Sequence, residues 1–258
     1  MQRIISWNVA SVRARLPRVL ELLDKYQPDI VFLQEIKATD ENFPFMDFIE
    51  HGYQAYISGQ KSYNGVALLS KKPLEILHTS LPDFTDEQAR FIEGVTTDGT
   101  HLICIYVPNG NPVDNPNKFD YKLNWMEALN KYLYQLMMRQ ESVILGGDFN
   151  VIEEDADVYN PDAYRDNAVM VPEVRQKFDQ LKQTTLINIL KEKCQERPLY
   201  SFWDFTMNAW AKNWGMLLDY FLISPDLKPL VEKCSIYKEV RGWEKTSDHA
   251  PICMEINL

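Results

Sequence analysis

The chain has 258 residues, 45% of them hydrophobic and 12% aromatic, and a formal net charge of -10. Such a length and composition suit one large packed domain, 1–258, and the acidic balance argues against a protein that coats nucleic acid non-specifically, because that binding relies on a basic surface. No segment approaches the roughly 18 to 20 apolar residues of a bilayer span. The start shows no charged and apolar leader pattern, so a cytoplasmic monomer with no membrane partner is the expectation. The four cysteines stand far apart without CxxC spacing and are expected to be reduced and mostly buried.

Residues 3 to 8 alternate and are rich in β-formers; Arg13 to Gln27 then repeats Leu16, Val19, Leu20, Leu23 and Tyr26 at helical spacing, with Pro17 near its start and Pro28 as its stop. Ile30 to Leu33 is a continuous apolar run, the pattern of a buried strand, and it ends on Gln34-Glu35. Short strands are predicted over 53–57, 65–70 and 74–79, and a hairpin over 91–96 and 101–107 turns through Asp98-Gly99 and ends on Tyr106-Val107-Pro108-Asn109. From Tyr121 to Arg139, Leu123, Met126, Leu129, Leu133 and Leu136 share a helical face, and the strand 142–145 runs into Gly146-Gly147-Asp148-Phe149-Asn150. Residues 153–170 are polar and aperiodic, and helices are predicted over 172–183 and 186–196. An aromatic loop with Trp203, Phe205, Trp210 and Trp214 precedes the apolar strand 217–223, in which Asp219 is embedded. The chain closes through Ser247-Asp248-His249-Ala250-Pro251 into a last strand.

Apolar strands thus repeatedly end on acids and amides: Asn8, Glu35, Tyr106 with Asn109, Asp148 with Asn150, and Asp248 with His249. Each alone has an ordinary reading. An amide after a strand makes a local turn hydrogen bond, Glu35 pairs with Lys37 at the surface, and Asp148 belongs to turn chemistry after two glycines. Asp219 changes the balance, because a carboxylate among Leu217, Leu218, Tyr220 and Phe221 is costly to bury unpaired and needs a donor such as His249. Two facing sheets would bring these strand ends to one rim, with the half around Asn8 and Glu35 set against the half around Asp148, Asp219 and Asp248. The residue types suit metal-assisted phosphodiester hydrolysis. Glu35 and Asp248, with Asn8 beside them, are hard-oxygen candidates for Mg²⁺. Asp148 could orient or deprotonate water, while Asn8, Asn150, Tyr106 and Asn109 offer neutral donors and His249, held by Asp219, donates to a phosphate oxygen.

The stretches Ile5 to Asn8, Val12 to Arg15, Pro28 to Lys37 with its Gln-Glu-x-Lys end, Asn64 to Leu69, Gly146-Asp148-Asn150, Leu218-Asp219-Tyr220 and Ser247 to Pro251 together resemble the exonuclease III/AP endonuclease family of the endonuclease/exonuclease/phosphatase superfamily. The resemblance implies a four-layer α/β sandwich of two mixed β-sheets flanked by helices, DNase I-like, with a Mg²⁺ site that tolerates Mn²⁺. It implies double-stranded DNA as partner, with hydrolysis 5′ to abasic sites, removal of 3′ blocking groups and 3′ to 5′ exonuclease action. By position it assigns metal-ligand roles to Glu35 and Asp248, phosphate contacts to Asn8, Tyr106, Asn150 and His249, the water-activating acid to Asp148 and the His-orienting acid to Asp219.

The chain departs from that pattern at two points. A second amide or acid two residues after Asn8, then Gly, is usual, and Ala10 and Ser11 stand here, which would remove part of the metal's outer water shell. Arg-Gly-Leu-Arg before the buried acid becomes Trp214-Gly215-Met216-Leu217. Met207, Trp210 and Trp214 are expected to contact DNA as wedges, and Arg13, Arg15, Lys61, Arg90, Lys118, Lys122 and Lys212 to form a phosphate track, whereas Trp203 and Phe205 fit strand core equally well. Two other readings stay open: a superfamily member acting on a phospholipid or inositol phosphate, and a DNA-binding or scaffold protein with a degraded site.

Overall fold

Alternation along the first strand decides how the layers stack. In the computed structural model, which describes residues 1–258, β1 (Gln2–Asn8) pairs in parallel with β2 (Ile30–Gln34), and α1 (Leu16–Tyr26) makes the crossover. Ile5 and Trp7 pack towards α1, so Ile4, Ser6 and Asn8 point the other way, into the space between two sheets. β4 (Val66–Ser70) and β3 (Gln54–Ser58) extend this first sheet on one side, β12 (Ile252–Ile256) and β11 (Val231–Ile236) on the other, giving the order β11-β12-β1-β2-β4-β3.

The second sheet repeats the plan. β7 (His101–Tyr106) and β8 (Val143–Asp148) are parallel and joined through α3 (Pro116–Met138). Beside them lie β6 (Phe91–Val95) with β5 (Glu75–His78), and β10 (Asp219–Ile223) with β9 (Ile187–Asn188). α4 (Pro172–Gln183) lies beside α3, and α5 (Ile189–Lys193) spans β10 and β11. α2 (Phe45–Glu50) and α7 (Lys238–Arg241) cover the first sheet with α1, while α6 (Ala209–Lys212) is one turn within the aromatic loop. The result is the four-layer sandwich of two mixed sheets that the resemblance implies. No helix is long and apolar enough to cross a membrane, and the four cysteines are free and buried.

The sheets meet through Phe32 and Phe221, whose ring centroids lie 6.1 Å apart, edge to face. Gly146 sits at this contact: a Cβ there would lie 2.7 Å from Phe221 and 2.9 Å from Phe32. Because side chains alternate, Asp148 shares the inward face of Gly146 and meets Asn8 across the gap. Gly146→Val is expected to push the sheets apart at a cost of about 1–3 kcal/mol, lowering Tm by roughly 2–4 °C per kcal/mol in scanning calorimetry; an unchanged Tm would show that this contact is not closely packed.

Some elements differ from the sequence pattern for local reasons. Residues 186–196 form β9 and the short α5 rather than one helix, with the Asn188 side chain capping α5 by accepting the Lys191 N–H. β11 carries no alternation signal because its register shifts between Val231 and Lys233. β12 joins the first sheet beside β1, so Asp248 and His249 belong with Asn8 and Glu35 and not with the half carrying Asp148 and Asp219.

Candidate active site

The carboxyl ends of β1, β2, β7 and β8, the start of β10 and the residues leading into β12 converge on one rim. Glu35, Tyr106, Asn109, Asp148, Asn150, Asp248 and His249 line a cavity of about 300 Å³ there, together with the apolar Val169, Phe202, Met216 and Leu218. The apolar pattern places Asp219 inside a strand; instead it opens β10, opposite Asp148 in antiparallel register. That register is how an acid amid apolar residues reaches the rim.

Asp148 is the hub of the hydrogen bonding. Asn8 Nδ2 donates to Glu35 Oε1 at 2.8 Å and to Asp148 Oδ2 at 2.9 Å, while Asn8 Oδ1 accepts the Ala10 N–H. Asn8 thus bridges two carboxylates through its amide nitrogen, while its oxygen, with one of two lone pairs engaged by Ala10, borders the same rim. Asp148 Oδ1 accepts the Asn150 N–H at 2.9 Å, and His249 Nε2 lies 3.6 Å from Oδ2. On the far side of the ring, His249 Nδ1 meets Asp219 Oδ2 at 2.8 Å, and the Ser201 hydroxyl donates to the same oxygen at 2.6 Å. The other Asp219 oxygen is buried without a partner, so the hydrogen bonding of this carboxylate is directed at the imidazole and Ser201.

Burial by itself would depress the His249 imidazole, but Asp219 and then Asp148 outweigh it and raise the ring to about 10. Burial, opposed by His249 and reinforced by Asp219, lifts the Asp148 carboxyl well above the usual carboxylate range. At neutral pH the proton available to this pair therefore rests on His249. Burial pushes Glu35 upward as well, yet hydrogen bonds from Lys37, at 2.8 Å, and Asn8 hold it below its ordinary value. The pairing with Lys37 and the rim position of Glu35 thus coexist. Burial, then the charges of Glu35 and Asp148, keep the Tyr106 phenol protonated as a donor. Glu35 (φ 50) and Asn150 (φ 48) occupy the left-handed region, at roughly 1–2 kcal/mol each, which turns the chain sharply at the two strand ends.

Two sets of groups compete as a cation site. Asp148, Asp219 and His249 place ligand atoms within 4.8 Å of one another. They are buried, and both ring nitrogens of His249 lie against these carboxylates, at 2.8 Å from Asp219 and 3.6 Å from Asp148, so the imidazole is engaged within the protein. Glu35 and Asp248 are only partly buried, border the cavity and present oxygens, the donor set such an ion requires.

The expected DNA-contact residues are mostly engaged within the protein. Lys122 is fully buried, with Nζ 3.2 Å from the Asn109 carbonyl and 2.6 Å from the Asn150 carbonyl, which removes it from any surface phosphate track. Helical phase explains this: Lys122 precedes the buried Trp125 and Met126 by three and four positions and shares their face of α3. Arg90 is buried and stacks over Tyr106 at 4.7 Å, and Arg15 donates to the Ala10 carbonyl. Trp214 stacks on Tyr159 at 5.2 Å and carries Lys212 at 4.0 Å, while Trp210 packs edge to face on Trp203 at 4.9 Å under Arg241. The Trp210 and Trp214 rings are partly buried against the protein, whereas Arg13 and Met207 project into solvent. Trp203 is core and Phe205 is exposed.

Sequence reasoning misses Ser201, Ser247 and the apolar lining. The Ser247 hydroxyl donates to the Asn8 carbonyl at 2.6 Å and so ties β1 to the turn before β12. Period-two spacing places Met216 on the same face as Leu218, whereas Ser201 and Phe202 carry no spacing signal because Phe202 pairs only through isolated bridges to Met216 and His249.

Carboxylates, amide donors and an acid-held imidazole at the rim of two facing sheets define a class of protein, an α/β-sandwich hydrolase for phosphate esters. The chain belongs to the Endonuclease/Exonuclease/phosphatase family, whose model matches residues 5–249. It is similar to the exodeoxyribonuclease of Bacillus subtilis (strain 168), with 31% identity over 260 residues covering 99% of this chain and 100% of that one. It is also similar to exodeoxyribonuclease III of Haemophilus influenzae, at 30% identity over 98% of this chain and 99% of that one. Among solved structures it is similar to the 3′ phosphatase NExo from Neisseria bound to a product DNA hairpin, with a TM-score of 0.95, 33% identity and 100% coverage of each chain. An AP endonuclease from Archaeoglobus fulgidus matches with a TM-score of 0.94 and 31% identity, again over 100% of each chain.

Proposed function

We propose that the chain is a Mg²⁺-dependent DNA-repair phosphodiesterase that hydrolyses double-stranded DNA 5′ to abasic sites and removes blocking groups and nucleotides from 3′ ends. The observation that carries this reading is the Asp148 carboxylate, held by Asn8 and Asn150 beside a protonated His249 and facing a cavity that apolar side chains also line. Relatives named as exodeoxyribonuclease, 3′ phosphatase and AP endonuclease share the whole length of the chain.

Glu35 and Asp248 would hold Mg²⁺, which when bound neutralises charge developing on the phosphate. Asp148, less acidic than a free carboxylate, orients the attacking water and accepts its proton. His249 donates through Nε2 to a phosphate oxygen, with Nδ1 fixed by Asp219. The Tyr106 hydroxyl, the Asn109 amide and the second N–H of the Asn150 amide complete a set of donors that add no negative charge. Val169, Phe202, Met216 and Leu218 give a sugar without its base an apolar surface to rest on. An adjoining groove of about 750 Å³ shares Asn109 and Asn111 and carries Arg90 and Lys118, room for the flanking nucleotides.

One duplex containing a tetrahydrofuran abasic analogue and one ending in a 3′ phosphate, each incubated with and without Mg²⁺, test this reading. Mg²⁺-dependent cleavage supports it; metal-independent cleavage, or inertness towards every DNA substrate, overturns it. Within the site, Asp248→Ala is expected chiefly to raise the Mg²⁺ concentration for half-maximal rate. His249→Ala is expected to lower kcat about 100-fold at saturating Mg²⁺ with an unmoved Mg²⁺ midpoint. Indistinguishable metal titrations for the two variants would refute that division of roles.

A further inference from the structure

We propose that Lys122 is a positioning residue of this site: its buried amine fastens the backbone carbonyls of Asn109 and Asn150 and so holds in place the two amide side chains that face the phosphate. This role rests on the phosphodiesterase reading above and concerns how the donor set is kept in register.

Lys122 lies on the core-facing side of α3 with no exposed surface, an expensive place for a lysine unless its amine is bonded. Its partners are neutral carbonyls from two different loops, one following β7 and the other following β8, at 3.2 and 2.6 Å. Burial pulls the amine down to about 7, opposed by Asp148; charged or neutral, it still donates to both carbonyls. An apolar side chain of the same length would fill the space without that cost, so the bonds and not the volume account for a lysine here. The loop is shaped to the stem: Gly110 has φ 80, and a Cβ on it would lie 2.6 Å from Lys122 Cδ.

Besides the tether, the two loops are joined at their base: the Val107 N–H donates to the Asp148 carbonyl and Asn150 Nδ2 to the Val107 carbonyl, while Asn109 Oδ1 accepts from Asn111. Lys122 is the contact that fixes the Asn109 and Asn150 backbones to one common group. Asn109 is exposed and outside any strand or helix, and its direct bond to Asn150 is long, 3.3 Å from Nδ2 to Oδ1. Asn150 is better held, since its Nδ2 donates to the Val107 carbonyl at 2.9 Å. Lys122 joins the two loops at the backbone of the very residues whose amides face the cavity. A shift of about 1 Å in groups that meet a transition state can cost on the order of 100-fold in rate, so this tether should act on turnover more than on binding.

The test compares Lys122→Met, similar in length and without a donor, with the wild type. On the abasic duplex at saturating Mg²⁺, kcat is expected to fall roughly 10- to 100-fold, with KM changed by less than about threefold. In an Asn109→Ala background the same substitution is expected to cost several-fold less, because part of what it positions is gone. Hydrogen exchange followed by mass spectrometry should quicken in residues 107–111 and 148–152 and stay unchanged in β1 and β12. An equal loss of kcat in both backgrounds would reduce Lys122 to a structural residue, and unchanged exchange in the two segments would overturn the tether whatever the kinetics. If the wild type cleaves no DNA, the functional reading fails while the exchange measurement still decides the tether. Should Lys122→Met not fold, Lys122→Gln, which keeps an N–H on a shorter stem, carries the same comparison with an intermediate loss expected.

Discussion

Asp148→Asn is expected to lower kcat on an abasic duplex by roughly 1,000- to 10,000-fold at neutral pH and saturating Mg²⁺, while KM for the duplex stays within a few-fold. The amide is nearly isosteric and can keep the hydrogen bond from the Asn150 N–H, while its nitrogen takes the place of the oxygen that accepts from Asn8 Nδ2. What is lost is the group that accepts the proton from water, and no other carboxylate can take over. Asp219 is turned away behind His249, and Glu35 is held below its ordinary range by Lys37 and Asn8, which makes it a weaker base as well as a candidate cation ligand. The substitution removes a buried carboxyl whose charged form burial disfavours and also loses the hydrogen bond from Asn8, so the two effects oppose and Tm should shift by only a few degrees. Single-turnover kinetics and a melting curve on the same preparation check both statements. Activity within tenfold of the wild type would mean that a different group activates the water.

Much of this centre can be read from residue order because each acid or amide stands at the end of an apolar run, where a strand must leave the sheet. Asn8, Glu35, Tyr106 and Asp148 follow from that pattern alone, and a rim is the common place to which parallel strand ends point. Asp219 is readable as a residue that needs a partner, but its place at the start of β10 depends on antiparallel pairing with β8, a non-local fact. The surface contacts are the weakest part, and the reason is physical. Charge type does not report exposure: Lys122 has the helical phase of Trp125 and Met126 and is buried with them, and Arg90 is folded under Tyr106. Counting basic residues finds candidates for a phosphate track, whereas placing them needs the phase of the element on which they stand. For Trp210 and Trp214 likewise, only the fold shows which ring face packs on Trp203 or Tyr159.

Asp219→Asn is expected to narrow the pH range of activity from its alkaline side and to lower kcat at pH 8 to 9 by roughly 100-fold. The sign follows from the two groups that titrate in the centre. Asp148 must be ionised to accept a proton, and its carboxyl is pushed up to about 7, so the wild-type rate should rise with pH through that region. His249 must be protonated to act as a cationic donor, and its ring is raised to about 10, so the donor is present below that value and lost as pH rises through it. After burial, which acts the other way, Asp219 is the largest influence on that ring. The Ser201 hydroxyl donates to the Asp219 oxygen that faces His249, so in the variant it should keep the amide oxygen there and the amide nitrogen at the position that has no partner. The tautomer is then preserved and only the charge is lost. The alkaline limb should move from near 10 towards the ordinary imidazole value of about 6.5, stopping short of it because Asp148 still raises the ring. Rates measured across pH for the wild type and the variant, with Mg²⁺ saturating at each point, make the comparison. Equal losses at every pH would mean that Asp219 sets the orientation of His249 and not its protonation.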